Sequence, residues 1–498
     1  MVDKYTSDFI EFLCESPGVF HAVDAIGRRL ERAGFLRLDE KEPSWELVPG
    51  GRYFVTRNGS ACIAFCLPGG RPAELRIMAS HSDSPCFKIK PDPEIEAAGL
   101  VRLNIEPYGG LLKNTWYDRP LGVAGRVLVE ENGSIVQRLV YPDRDLLVIP
   151  SLAIHMDREA NEKAMTNVQN DMLPVFAEGP KADKFMGMIA EAAGVDSPDR
   201  ILGMDLFVVN RQKPFVWGPE DEFISAPRLD DLMCVYGTLA GFVEYAEGRE
   251  EGVAAETSAA AGDDMPAGDL VTAGNGLTTG DLVTAGNGLT AGDFVTAGNG
   301  LKAGVPAAIR NDVTAGDLTA AADGVLAMYC VFDNEEVGSR SRQGAESTFL
   351  TDCLGRIRES LGLTFSEMQA AVQRGTMISA DNAHAVHPNH TDKADPVNRP
   401  KMNGGIVLKF HAGQLYTTDG VSGALVKKIC KDNDIPLQTF VNRADMRGGS
   451  TLGNIANTQL SISTADIGLA QLAMHSSCET AGARDLGYLA GFARKFYE

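Results

Sequence analysis

An unbroken apolar run, Val325-Leu326-Ala327-Met328-Tyr329-Cys330-Val331-Phe332, leads directly into Asp333-Asn334-Glu335-Glu336-Val337-Gly338-Ser339. The run reads as a buried strand, and the acids therefore fall at its carboxyl tip. A carboxylate taken out of water must be paired, protonated or bound to a cation. In open α/β sheets, ligands bind in the crevice beyond the strands' carboxyl ends. There, one acid can hold a metal while its neighbour accepts a proton from water. Taken alone, a Glu-Glu pair is more often a solvated acidic turn.

Three further clusters of this kind occur. Residues 75–79 read as a short strand running into His81-Ser82-Asp83-Ser84-Pro85, and residues 377–380 end in Asp381-Asn382-Ala383-His384. Leu472-Ala473-Met474 delivers His475, and Asp230 opens the apolar-periodic stretch 232–245, which predicts a helix start. Two neighbouring cations need an imidazole each, a shared carboxylate and a terminal carboxylate each. His81, His475, Asp230, Asp381 and Glu336 meet that inventory, with Glu335 left over as the base. A lone His is more often a satisfied core or surface residue, and Asp230 alone could be a helix cap. It is the combination that points to a metal site. Asp83 suits an orienting role, because a ligating imidazole normally donates its other N–H to a carboxylate or carbonyl.

The chain resembles the aspartyl-aminopeptidase family of dinuclear zinc metallopeptidases over nearly its whole length. The motifs occur in order: His81-Ser82-Asp83-Ser84-Pro85-Cys86, Ile149-Pro150-Ser151-Leu152-Ala153-Ile154-His155, Ala226-Pro227-Arg228-Leu229-Asp230, residues 333–339, the segment from Ser379 through Asp381 and His384 to Asn389, and Gln471-Leu472-Ala473-Met474-His475-Ser476. The resemblance implies two zinc ions per subunit, one held by His81, Asp230 and Asp381 and the other by Asp230, Glu336 and His475, with Glu335 as general base. It also implies substrate contacts from His384, Lys409 and Tyr416, from His155 of a neighbouring subunit, and a homo-oligomer built of dimers up to a dodecamer. Acidic N-terminal residues would be preferred, with Lys409 and Arg447 as the available cations. The segment Asn442-Arg443-Ala444-Asp445-Met446-Arg447-Gly448-Gly449 and the residue Asp231 depart from the family pattern.

Lys+Arg 46 against Asp+Glu 67 gives a net charge of -21, which argues against nucleic-acid or anionic-membrane partners. No apolar run approaches the ~20 residues that span a bilayer. Nine cysteines without C-x-x-C spacing suggest neither a disulfide framework nor a thiolate zinc site. The expected setting is cytoplasmic. The 498 residues exceed one ordinary core. The fold class expected is α/β, a mixed-sheet zinc-peptidase catalytic domain (1–91 and 223–498) with an inserted β-rich domain (92–222), to which the resemblance assigns dimerisation and support of the substrate pocket. Within 248–323, Gly268-Asp269-Leu270-Val271-Thr272-Ala273-Gly274-Asn275-Gly276-Leu277 recurs from Gly280 and from Gly292. Its Gly/Ala/Asp/Thr composition favours a poorly ordered surface loop, on the face opposite the site. The glycine-rich run from Gly448 to Gly453 lacks the Walker lysine and is expected to line the substrate pocket.

The function expected is removal of single N-terminal residues from peptide substrates by a metal-activated water. Its rivals are a dizinc amidohydrolase or deacylase acting on a non-peptide amide, and a non-catalytic oligomeric scaffold that keeps metal for stability. A retired enzyme has no need of Glu335 beside Glu336, which speaks against the scaffold.

Overall fold

The structure, a computed structural model, describes residues 3–161, 166–260 and 324–498, the side chains of 250–260 excepted. The repeats expected to form a surface loop lie outside the described residues. A nine-stranded mixed sheet organises the chain. In sequence order its strands are β1 (Leu36–Leu38), β2 (Arg52–Arg57), β3 (Ala61–Cys66), β4 (Glu74–His81), β5 (Val325–Phe332), β6 (Thr376–Ala380), β7 (Ile406–Phe410), β8 (Leu437–Val441) and β9 (Ser463–Gly468). In space they run β1-β2-β3-β5-β4-β6-β9-β7-β8.

Every residue of β5 is buried. Because side chains alternate across a strand, Val325, Ala327, Tyr329 and Val331 enter one hydrophobic core while Leu326, Met328, Cys330 and Phe332 enter another. Helices cover both faces, as an all-apolar strand requires. On one side lie Leu229–Ala260 and Asp485–Tyr497, which bury Phe242, Leu486 and Phe492. On the other lie Phe349–Ser360 and Phe365–Arg374, with Phe349, Ile357 and Val372. The first two helices approach so closely at Gly241 that a Cβ there would sit 2.4 Å from the Ala490 carbonyl oxygen. This layering is the α/β class expected. No helix among the described residues is long and apolar enough to cross a membrane.

A six-stranded antiparallel sheet runs from Cys86–Ala97 to Ile201–Asn210 and carries a core of its own, including Phe87, Leu103, Val123, Leu206 and Val208. A third, five-stranded sheet gathers Phe215–Trp217, Phe223–Ala226, Glu479–Gly482, Ala470–Leu472 and Ala383–His384. Its turns bring distant parts of the chain to the tips of β4, β5 and β6.

Candidate metal centre

β5, β4 and β6 are adjacent and parallel, so their carboxyl ends open on one crevice. His81 is the last residue of β4 and pairs in register with Phe332, the last of β5. Glu335 and Glu336 lie in the single helical turn Glu335–Val337 immediately beyond. Asp381 follows Ala380, and its N–H donates to the Ile467 carbonyl at 3.1 Å. Asp230 arrives from the strand Phe223–Ala226, and His475 stands in the turn between Ala470–Leu472 and Glu479–Gly482. Arg228 (φ 63), Asn334 (φ 62) and His475 (φ 67) are left-handed without being glycine. That conformation is uncommon for residues with a Cβ and concentrates at functional sites.

The two carboxylate oxygens of Asp230 face different imidazoles. Oδ1 lies 3.7 Å from His81 Nε2, and Oδ2 lies 3.4 Å from His475 Nε2. His81 Nε2 is 4.0 Å from Asp381 Oδ1, and His475 Nε2 is 3.4 Å from Glu336 Oε1. Zinc–ligand bonds of about 2.1 Å at tetrahedral angles put neighbouring ligand atoms about 3.4 Å apart. The spacing around His475 meets that value and the spacing around His81 is slightly wider. Asp230 is 3 % exposed and its Oδ1 has no hydrogen-bond partner, an orphaned acceptor that a cation would satisfy. The residues present therefore fit zinc.

Both imidazoles are oriented from behind. His81 Nδ1 is 3.1 Å from the Asp83 carbonyl oxygen and His475 Nδ1 is 3.1 Å from that of Gly110, which leaves each Nε2 to face the cluster. The Asp83 carboxylate accepts hydrogen bonds from the backbone N–H groups of Glu335 (3.1 Å) and Glu336 (3.2 Å) and from the Tyr108 hydroxyl (2.7 Å). It thereby ties the β4 tip to the turn after β5. Burial pushes the Glu335 carboxyl up to about 8, with nearby Asp381, Asp83 and Asp230 adding to the rise and His81 opposing it. A group so placed holds a proton readily.

On the open side, a cavity of about 310 Å³ is lined by His384, Phe440, Arg447, Gly448 and Gly449. The glycine-rich segment borders this cavity through Gly448 and Gly449. Tyr416 is buried, with its ring 6.0 Å from that of Phe440. Lys409 is 2 % exposed, donates to the Asn382 carbonyl at 2.9 Å and lies 3.7 Å from Asp381 Oδ2. Burial alone would lower its pKa, but Asp381 holds it raised. His155 is not gathered into this group. It lies on an exposed loop beside Leu152, Ile154 and Met156, which are 62 %, 48 % and 76 % exposed.

One acid escaped the sequence reading, and a second appeared there only as a departure from the family pattern. Glu479 is 2 % exposed, and its two oxygens accept the N–H groups of Asp230 (2.9 Å) and His475 (2.7 Å). Asp231 is fully buried and accepts the His81 N–H at 3.2 Å. For Glu479, position four residues after His475 was the sole local hint, and it is a weak one.

Comparison with known proteins is consistent with this centre. A family model described as aminopeptidase I zinc metalloprotease (M18) matches residues 12–260 and 278–497. The chain is 36% identical over 503 residues to "Probable M18 family aminopeptidase 2" of Clostridium novyi (strain NT), covering 99% of this chain and 98% of that protein. Among solved structures, a chain of the Ape4 and Nbr1 complex has a TM-score of 0.81 at 30% identity, covering 99% of this chain and 85% of that one. The S. cerevisiae mApe1 dodecamer shares the fold, with a TM-score of 0.74 at 24% identity and coverage of 99% and 96%.

Proposed function

The chain belongs to the aminopeptidase I zinc metalloprotease (M18) family and is a zinc-dependent aminopeptidase, and from that premise we propose that it works with two zinc ions and with Glu335 as general base. The observation that carries this reading is the divided carboxylate of Asp230, one oxygen toward His81 and the other toward His475. His81, Asp230 and Asp381 would hold one ion, and Asp230, Glu336 and His475 the other.

Zinc, when bound, supplies a Lewis acid that polarises the scissile carbonyl and acidifies water. Glu335 takes the proton of the attacking water and passes it to the leaving amine. Asp83 holds the Glu335 and Glu336 amides and so keeps the base in place relative to the β4 tip. Lys409, bonded to the Asn382 carbonyl and beside Asp381, steadies the β6 tip. The substrate's first side chain would enter the cavity beside His384, with Tyr416 packed behind the Phe440 wall. Arg447 is an exposed cation in the cavity wall, with Lys393 and Arg443 also lining it, which supports a preference for acidic N-terminal residues.

The apolar exposure of the loop around His155 suits a surface covered in an assembly. We read it as docking on another copy of the chain, with His155 reaching that copy's site. All nine cysteines are free thiols, which supports a reducing, cytoplasmic setting.

The test is a pair of adjacent substitutions. Glu335→Gln keeps shape but cannot accept a proton, so two zinc ions per subunit should remain while kcat falls by about two to four orders of magnitude. Glu336→Gln should lose about one ion, since an amide is a poor replacement for an anionic ligand. Loss of metal in Glu335→Gln, with Glu336→Gln keeping both ions and only slowing, would reverse the two roles.

A further inference from the structure

A second cavity, of about 470 Å³, lies between the nine-stranded and six-stranded sheets and shares no lining residue with the one beside His384. Its walls include Phe20, Tyr108, Trp116, Phe207, Arg228 and Asn334. We propose that it is a binding site for a small organic anion, a carboxylate on an aromatic or apolar body, with Arg228 as the group that holds the carboxylate.

The charges around the cavity are unevenly matched. Lys88, Arg126, Arg228 and Arg342 all border it, in a chain whose net charge is -21. Lys88 and Arg126 share one acid, Asp205, at 3.0 and 2.9 Å. The other acids in the wall are already engaged. Asp83 accepts from Tyr108 and from the Glu335 and Glu336 amides, Glu479 accepts from the Asp230 and His475 amides, and Asp333 accepts from the Asn334 amide at 2.7 Å.

Arg228 has no such partner. Among the described residues no carboxylate lies within ion-pair distance of its guanidinium, which makes one hydrogen bond, to the Leu13 carbonyl at 3.4 Å, and its Nε is buried without a partner. Leu13 belongs to the last turn of the helix Lys4–Glu15, whose terminal carbonyls offset part of the charge. Arginine cannot shed its proton, and a partly buried guanidinium whose Nε has no partner is only partly compensated. A carboxylate matches the guanidinium fork with two parallel hydrogen bonds. The aromatic walls favour an apolar body behind that head, and the volume falls within the usual range of small-molecule sites.

The experiment uses the zinc-loaded full chain with its metal centre saturated by leucine hydroxamate, so that carboxylates cannot report binding at zinc. Calorimetric titration with benzoate should show one site per chain. Benzyl alcohol, which lacks the charge, and inorganic phosphate, which lacks the apolar body, should each bind about tenfold more weakly or not at all. Arg228→Gln should weaken benzoate by about tenfold or more, the usual worth of a hydrogen bond to a charged group. Should Arg228→Gln fail to fold, Trp116 provides an independent reading, being one of three tryptophans. Benzoate should change the emission of the unsubstituted chain, and the change should vanish in Trp116→Phe, which keeps the aromatic wall. Absence of benzoate binding, binding indifferent to Arg228→Gln, equal binding of benzyl alcohol, or an emission change that survives Trp116→Phe would overturn the proposal and leave Arg228 as the cap of the helix Lys4–Glu15.

Discussion

Glu479 joins two proposed ligands that reach the centre on different segments, and replacing it by Gln tests how far the site depends on that joint. In the native chain Oε2 accepts the Asp230 N–H at 2.9 Å and Oε1 accepts the His475 N–H at 2.7 Å. Gln keeps the volume and one carbonyl oxygen, but turns the other acceptor into an NH₂ group facing an N–H. One charge-assisted hydrogen bond disappears, and a buried donor is left opposed to another donor. Hydrogen bonds to charged groups contribute about 1.5–3 kcal/mol. At about 1.4 kcal/mol per decade, the expected loss of zinc affinity is about ten- to a hundredfold, the range typical of partners that orient metal ligands. Since Asp230 and His475 both belong to the site proposed to be completed by Glu336, the ion proposed there should be the one released. Chelator competition on zinc-loaded protein measures the affinity, and circular dichroism with a thermal melt establishes that the variant is folded. A folded Glu479→Gln chain that holds both ions within about twofold of native affinity would refute the reasoning.

Three other outcomes are expected. If His155 works in a neighbouring copy's site, mixing inactive His155→Ala with inactive Glu335→Gln should restore part of the activity once subunits exchange; no recovery despite demonstrated exchange would return His155 to its own subunit. Arg447→Ala should lower kcat/KM for Asp and Glu substrates more than for Leu substrates, whereas equal loss across the series would leave Arg447 with no part in selectivity. Burial raises the Asp485 carboxyl from 3.8 to about 7, against the hydrogen bonds it accepts from the Gly405 and Asn403 amides. Between those values the folded chain keeps a proton that the unfolded chain gives up, so this contribution to stability is complete below about pH 4 and is lost as pH rises through about 7. Thermal melts across that window should show a flatter pH dependence for Asp485→Asn, and an unaltered slope would count against the assignment.

What could be read from the residues alone was whatever leaves a local imprint. A strand buried on both faces must be apolar at every position, so β5 and the acids beyond it stood out in the chain. Shorter, less uniformly apolar runs pointed to His81 at the tip of β4 and Asp381 at the tip of β6. The α/β class was expected along with the family resemblance that these motifs carry. The structure brings His81, Asp230, Glu336, Asp381 and His475 together at one crevice. It alone decided which oxygen of Asp230 faces which imidazole, because that depends on the backbone at Asp230 and on a third sheet whose strands come from opposite ends of the sequence. Glu479 was invisible for the same reason, and Asp231 showed only as a departure from the family pattern. A buried acid that accepts backbone N–H groups looks, in sequence, like any other Asp or Glu. Arg228 carried no local sign of lacking a carboxylate partner either, since periodicity records which face of an element is buried but not which segments, far apart along the chain, will meet there.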